Sequence, residues 1–315
     1  MGIQKSPHIY KNCGTIQKAS SFSRKLNPRS RRKKYYTEKS TKDTIHNGQR
    51  KLLLTEIEFF LQEYHKLDNR KKICVYIGAS TGHDKSLHTY TLAQMFPEFT
   101  FHLYDIHTFY HKLYELPNVQ IFQRYFTDKD SIQYKGKNVF MISDMRDLDI
   151  GNAKNKENIG KQNSIVQGDM KMQMKFYQDM KPKSALLKFR LPWLPGKTTY
   201  LDGDIYYQVW QGKHSAETRL VPNGKMKVYD NTSYEERLFY FNTETRFRYY
   251  PHNYICYGHC YDCMSEISIL EQYVLFHKKK CTKKDVCSLA QMITKELSFY
   301  TDRKIFHTKL SKYTI

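Results

Sequence analysis

Five apolar residues in unbroken succession, ICVYI at 73–77, run directly into Gly-Ala-Ser-Thr-Gly at 78–82. A run without polar alternation reads as a strand covered on both faces, the kind found in a parallel sheet between two helical layers. Gly78 and Gly82 permit a tight turn where backbone can approach a ligand closely, and a helix is expected over 84–96. Strand, glycine turn and helix form the first unit of a doubly wound α/β sheet. The next strand, 101–104, ends at Asp105. An acid at the tip of that strand is where a ribose hydroxyl pair is bound in such sheets, and its distance from Gly82 is near the ~20 residues expected.

Further strands are expected at 119–122, 139–143 (VFMIS, ending at Asp144) and 184–189 (SALLKF). The polar 145–160 reads as a loop and 164–180 as a methionine-rich helix. The alternation then changes. Short strands at 205–210, 218–221 and 226–228 follow one another without helices, with Pro222 and Gly224 ending the second and turning the chain into the third. The fold class is therefore α/β and Rossmann-like, a mostly parallel sheet with antiparallel strands at one edge and helices on both faces. An amphipathic helix is expected over 51–64, a short one over 235–242, and two more over 265–277 and 288–300.

The formal net charge is +21, a balance that points to nucleic acid or another anionic partner. Residues 1–37 hold ten lysines and arginines and no acid, broken by serine, glycine and proline. They read as a disordered basic arm that either tracks an RNA backbone or serves only as a solubilising or targeting tail. The expected organisation is an arm over 1–45, a domain over 46–275, and a C-terminal helical extension over 276–315, packed on the domain or flexible. No apolar run approaches the ~20 residues of a membrane span, so no membrane partner is expected. MGIQKSPHIY has no apolar export core, and the cysteines are expected to be reduced thiols. Cys256, His259, Cys260 and Cys263 cluster, but Cys281 and Cys287 are too widely spaced to complete a regular zinc site. No metal is expected.

Four charged residues stand at the edges of apolar segments: Lys51 in GQRKLLL, Asp144 in VFMISD, Lys188 in SALLKF and Glu217 in HSAETRLV. A charge at such a position is unfavourable unless it has a partner or a task. Lys51, in the first turn of its helix, also opposes the helix dipole. Any one alone reads as an ordinary salt bridge. Together, in order, they spell Lys-Asp-Lys-Glu, the tetrad of RNA 2'-O-methyltransferases.

The blocks GQRKLLLTEIEFF, VYIGASTGHD, VFMISDMR, LLKFRLPW, HSAETRLV and SYEERLFYFN resemble, in the same order, segments of the poxvirus cap-specific mRNA 2'-O-methyltransferase family, whose members are also the small subunit of poly(A) polymerase. The resemblance runs from about residue 48 to 257. It implies a large-DNA-virus source, residence in the virion and host cytoplasm, S-adenosyl-L-methionine as cofactor, capped mRNA as substrate, and a poly(A) polymerase catalytic subunit as a possible partner. It implies catalysis by Lys51, Asp144, Lys188 and Glu217, with Lys188 as general base. A lysine must be neutral to accept a proton, and burial and neighbouring positive charge favour that form.

The same resemblance places Gln49, Tyr76, Gly78, Gly82, Asp105, His107, Phe126 and Asp144 around the cofactor. His107 stands where the family has arginine, and Thr81 where it has proline. Trp193 matches one of two aromatic rings that stack the cap base, and Glu235 a carboxylate that accepts from the guanine edge. The second carboxylate falls near Pro195. The second ring is Tyr35 or Tyr36, and Arg190 is expected to meet an RNA phosphate. Two other functions fit the residues: a non-catalytic RNA-binding regulatory subunit of a poly(A) polymerase, and a 2'-O-methyltransferase of uncapped RNA.

Overall fold

The computed structural model describes residues 22–36, 48–80, 86–145 and 159–298. Five strands are parallel: β1 (Lys72–Ile77), β2 (Phe99–Tyr104), β3 (Val119–Phe122), β4 (Val139–Ser143) and β5 (Ser184–Phe189). Two more, β6 (Lys197–Tyr206) and β7 (Thr218–Asp230), form a hairpin whose second strand pairs antiparallel with β5. The order across the sheet is β3-β2-β1-β4-β5-β7-β6. This is the Rossmann-like arrangement expected, parallel at the centre and antiparallel at one edge.

Alternation along the strands builds two cores. Cys74 and Tyr76 of β1 join Phe140 and Ile142 of β4 in one cluster, with Leu53, Leu54, Ile57 and Phe60 of helix α1 (Gly48–Glu63). Ile73, Val75 and Ile77 point the other way, to Val166, Met170 and Phe176 of helix α4 (Ile159–Met180). Helices α2 (Leu87–Met95), α6 (Tyr261–His277) and α7 (Lys283–Ser298) also pack on the α1 side, while α3 (Asp128–Gln133) and α5 (Asn231–Thr243) lie on the other. Both faces are thus covered, which is why the central strands carry near-continuous apolar runs.

The hairpin differs from expectation. Pro222 and Gly224 do not break the chain into short strands; β7 runs straight through them, and 207–210 is not strand. The reason is a register shift between Leu201 and Gly203 that sets Gly203 opposite Pro222. A Cβ on Gly203 would stand 2.1 Å from the Val221 carbonyl oxygen. Glycine opposite proline at an irregularity is how a strand tolerates the missing donor.

Part of the segment expected to be a basic arm is built into the fold. Leu26 N–H donates to the Ile205 carbonyl (2.7 Å) and Tyr207 N–H to that of Arg24 (2.9 Å), so residues 24–26 line the β6 end. The Arg24 guanidinium is buried against Glu58 (2.9 Å) and donates to the Tyr261 hydroxyl (2.7 Å). Arg32 pairs with Glu236 (2.7 Å) and Lys33 with Glu244. Composition alone cannot show such long-range pairing. Residues 1–21 and 37–47 lie outside the described residues.

The C-terminal extension is packed as far as Leu297. Val286, Ala290 and Ile293 are buried in the α1-side core. The expectation of reduced thiols is corrected at one pair: Cys256 and Cys287 form a disulfide, because α7 folds back beside the loop before α6. Cys260 and Cys263 are buried thiols with sulfurs 3.5 Å apart. Among the described residues no three His, Cys, Asp or Glu side chains are placed to hold a metal, and no helix is long and apolar enough to cross a membrane.

Candidate active site

Sheet register lines up three of the charged side chains. Ser143 pairs with Leu187, Leu187 with Leu220, and Lys188 with Arg219. Asp144, one residue beyond β4, therefore falls in line with Lys188 and Arg219. Since residues at matching positions share a face, all three point to the α1 side. Glu217, two residues before Arg219, shares that face, and Lys51 reaches in from the first turn of α1. The Lys188 ammonium lies 2.9 Å from Asp144 and 3.5 Å from Glu217, and Lys51 lies 3.2 Å from Glu217. The four residues read from sequence thus converge.

Arg219 is a fifth member that the sequence reading missed. It is 3% exposed and bridges Asp144 (2.6 Å) and Glu217 (3.2 Å). The signal was present: Glu217-x-Arg219 on a strand puts both on one face. Three cations now meet two carboxylates, so the cluster reaches neutrality only when one lysine gives up its proton. Burial and the charges of Arg219 and Lys188 hold Lys51 below the usual lysine range, against the pull of Glu217. Burial pushes the Asp144 carboxyl up, but Lys188 and Arg219 outweigh it and hold it below its ordinary value.

A cleft of about 190 Å³ opens beside this cluster at the C-terminal ends of β1, β2 and β4. Gly78, Asp105, His107, Phe126 and Asp144 line it, with Tyr104, Arg124 and Met145. Gly78 has φ +76°, and a Cβ there would stand 2.9 Å from the Asp144 backbone carbon, so only glycine lets the two strand ends lie this close. Asp105 is held ready: its Oδ2 accepts from Ser80 N–H (3.0 Å) and its Oδ1 from His107 N–H (2.9 Å). Glycine backbone, an aromatic wall of Tyr104 and Phe126, and a carboxylate at the second strand tip suit a nucleoside.

Two expected cofactor residues do not line the cleft. The Tyr76 hydroxyl donates to Glu56 (2.6 Å), and Gln49 Oε1 accepts from His88 N–H (3.0 Å). Both are buried on the α1 side of the sheet, the face that carries the charged cluster, where Asp144 and Arg219 act on Tyr76; its neighbour Ile77 points to the other face and lines the cleft. Gly82, Thr81 and most of the 145–160 loop lie outside the described residues.

Glu56 is itself notable. It is buried, and its Oε2 has no hydrogen-bond partner among the described residues. Burial pushes its carboxyl up to about 8, despite the Tyr76 hydrogen bond. The native state therefore holds a proton that the unfolded chain releases near the usual carboxylate range, so this group's contribution to stability falls as pH rises from about 4.5 through 8. Burial also pushes the neighbouring His88 down to about 4, which raises stability with pH only up to its ordinary value of 6.5. Glu56→Gln should therefore flatten the loss of stability between pH 6.5 and 8. Urea midpoints at several pH values check this; parallel curves for the two proteins would refute it.

Of the residues expected to meet the substrate, Arg190 and Trp193 lie just beyond β5, Glu235 is on α5, and Tyr35 and Tyr36 end the N-terminal segment 22–36. Trp193 is half-buried, and its backbone N–H donates to Asn163 (2.9 Å). The Arg190 guanidinium lies 3.1 Å from the centre of its ring. Burial pushes Glu235 up, and the Arg190 charge opposes that shift. Tyr36 is 43% exposed and packs edge-on against Phe239. Tyr35 packs on the same ring and is the tyrosine on which the charges of Glu235 and Arg190 act.

A family model for the poly A polymerase regulatory subunit matches residues 22–299. The chain belongs to that family. The match begins at the segment that lines β6 and ends with α7. No curated protein matches the chain. Among solved structures, bluetongue virus VP4, described as a multifunctional RNA-capping production line, is similar at 12% identity with a TM-score of 0.41. The alignment covers 75% of this chain and 36% of VP4, so the chain spans little more than a third of that protein.

Proposed function

We propose that the chain is an S-adenosyl-L-methionine-dependent methyltransferase acting on the ribose 2'-OH of the first transcribed nucleotide of capped mRNA. The observation that carries the reading is the position of Asp144, which lines the nucleoside-sized cleft and binds Lys188 on the other side. A proton acceptor is thus set one carboxylate away from the cofactor cleft.

Gly78, Asp105, Phe126 and Asp144 would hold adenosylmethionine, Asp105 taking the ribose hydroxyls; when bound, it supplies a methyl group on a cationic sulfur, already a good leaving group. What remains for the protein is alignment and deprotonation of a weak nucleophile. Lys188 Nζ accepts the 2'-OH proton. Asp144 orients that amine, and Glu217 joins it to Lys51. Arg219 locks both carboxylates, which fixes the geometry without itself exchanging protons.

The cap is read by Trp193 and Glu235: a cationic 7-methylguanine gains from an electron-rich ring face, and its edge donors from a carboxylate. Trp193→Ala should weaken capped-RNA binding by about 1–3 kcal/mol, the range for a lost base–aromatic stack. Unchanged affinity in a fluorescence-anisotropy titration would remove the cap pocket from this reading. Methylation itself is tested by nuclease digestion of the RNA after reaction, which locates the methyl group.

Family membership favours a second role, as regulatory subunit of a poly(A) polymerase. The two roles are compatible, since a polymerase can engage surfaces away from the cleft.

A further inference from the structure

Arg190 follows β5 directly, two positions beyond Lys188. Its guanidinium carbon sits 3.1 Å from the centre of the Trp193 ring. The same charge acts on Glu235 and on Tyr35. A planar cation is therefore stacked on the tryptophan, close to a carboxylate and a second aromatic ring. Those are the surroundings that a cationic purine would require.

We propose that Arg190 is a specificity-determining residue that covers the base-stacking face of Trp193 in the free protein and moves to the phosphates of a capped end when the base takes that face. The inference rests on the cap-binding reading of Trp193. Its consequence is a coupling between two parts of one ligand. A base without phosphates must displace the guanidinium and offers it nothing in return, so its apparent affinity falls by the fraction of molecules with the ring open. A base carrying phosphates gives the guanidinium a bidentate anionic partner as it leaves the ring. Arg190 thus opposes the nucleoside and favours the nucleotide. Its neighbour Phe189 and the catalytic Lys188 lie on the same strand, so the displaced side chain stays beside the reacting end of the RNA.

The test is calorimetric titration of wild type and Arg190→Met with 7-methylguanosine and with 7-methylguanosine triphosphate. Methionine keeps an apolar stem against the ring but carries no charge. The nucleoside should bind Arg190→Met about three- to tenfold more tightly, and the triphosphate about tenfold more weakly. Arg190→Lys, which keeps charge without the planar fork, should also tighten the nucleoside while holding the triphosphate near wild type; it carries the test should the methionine variant fail to fold. Nucleoside affinity unchanged or reduced in both variants would overturn the covering role. Tighter binding of both ligands would overturn the transfer to phosphate. If wild type binds neither ligand, the cap-binding reading falls first, and this inference with it.

Discussion

Replacing Lys188 with alanine should reduce methyl transfer by about 10²–10⁴-fold, the contribution of a positioned general base. The fold should survive, because Arg219 still bridges Asp144 and Glu217 when the lysine is gone. Adenosylmethionine binding should be little changed, since Lys188 does not line the cleft that Asp105 and Phe126 enclose. Lys188→Arg should be equally inactive: it keeps the positive charge beside Asp144 but cannot release a proton to act as base. The pair of variants separates base catalysis from simple charge balance, which arginine would preserve. Single-turnover methyl transfer and calorimetric cofactor binding are the measurements. Transfer that survives in either variant would remove Lys188 from the role, and loss of cofactor binding would mean it holds the cofactor instead. The same variants separate the two proposed roles, because stimulation of tail elongation by a poly(A) polymerase should persist when methylation is lost.

The largest effect on stability is expected at Glu266. This fully buried carboxylate binds the Arg50 guanidinium of α1, accepts from the Trp210 indole N–H (2.6 Å) and from the Tyr257 hydroxyl (2.7 Å). Arg50 also donates to Thr294 of α7 (2.8 Å). One carboxylate therefore ties together α1, α6 and the segment after β6, and through Arg50 it reaches α7. Glu266→Ala should destabilise the protein by about 3–5 kcal/mol, because it leaves Arg50 buried without a counter-charge. The double variant Arg50→Met, Glu266→Leu should recover much of that loss, since removing both charges also removes the desolvation penalty. Urea unfolding of the three proteins checks this. A single variant within about 1 kcal/mol of wild type, the range of an exposed pair, would contradict the burial argument.

The central sheet was legible because buried parallel strands have few alternatives: 73–77, 139–143 and 184–189 are too apolar and too short for anything else. The charged cluster was legible for the complementary reason, that Asp144 and Lys188 are charged at the ends of such runs. Arg219 was passed over although its alternation with Glu217 was visible, because an arginine in a half-polar segment reads as a surface residue and its register opposite Lys188 lies in another strand. The long hairpin was hidden because Pro222 and Gly224 normally punctuate a strand, and only the partner Gly203 shows why they do not here. Arg24 lay in a stretch whose composition suggests disorder, yet its anchor is Glu58, a residue no local pattern links to it. Strand alternation turns Tyr76 toward Glu56, on the face that carries Asp144 and Arg219, a pairing that no local pattern announces. In each case the missing information was a contact between distant segments.

Whether the Lys188 cluster moves a methyl group to a capped RNA end is tested most directly by methyl transfer from labelled adenosylmethionine to three short RNAs of one sequence, bearing a 7-methylguanosine cap, an unmethylated guanosine cap, or no cap. Label on the 2'-oxygen of the first nucleotide of the 7-methylguanosine-capped RNA alone is the predicted result. Absence of label on all three, by protein that binds adenosylmethionine, would contradict it.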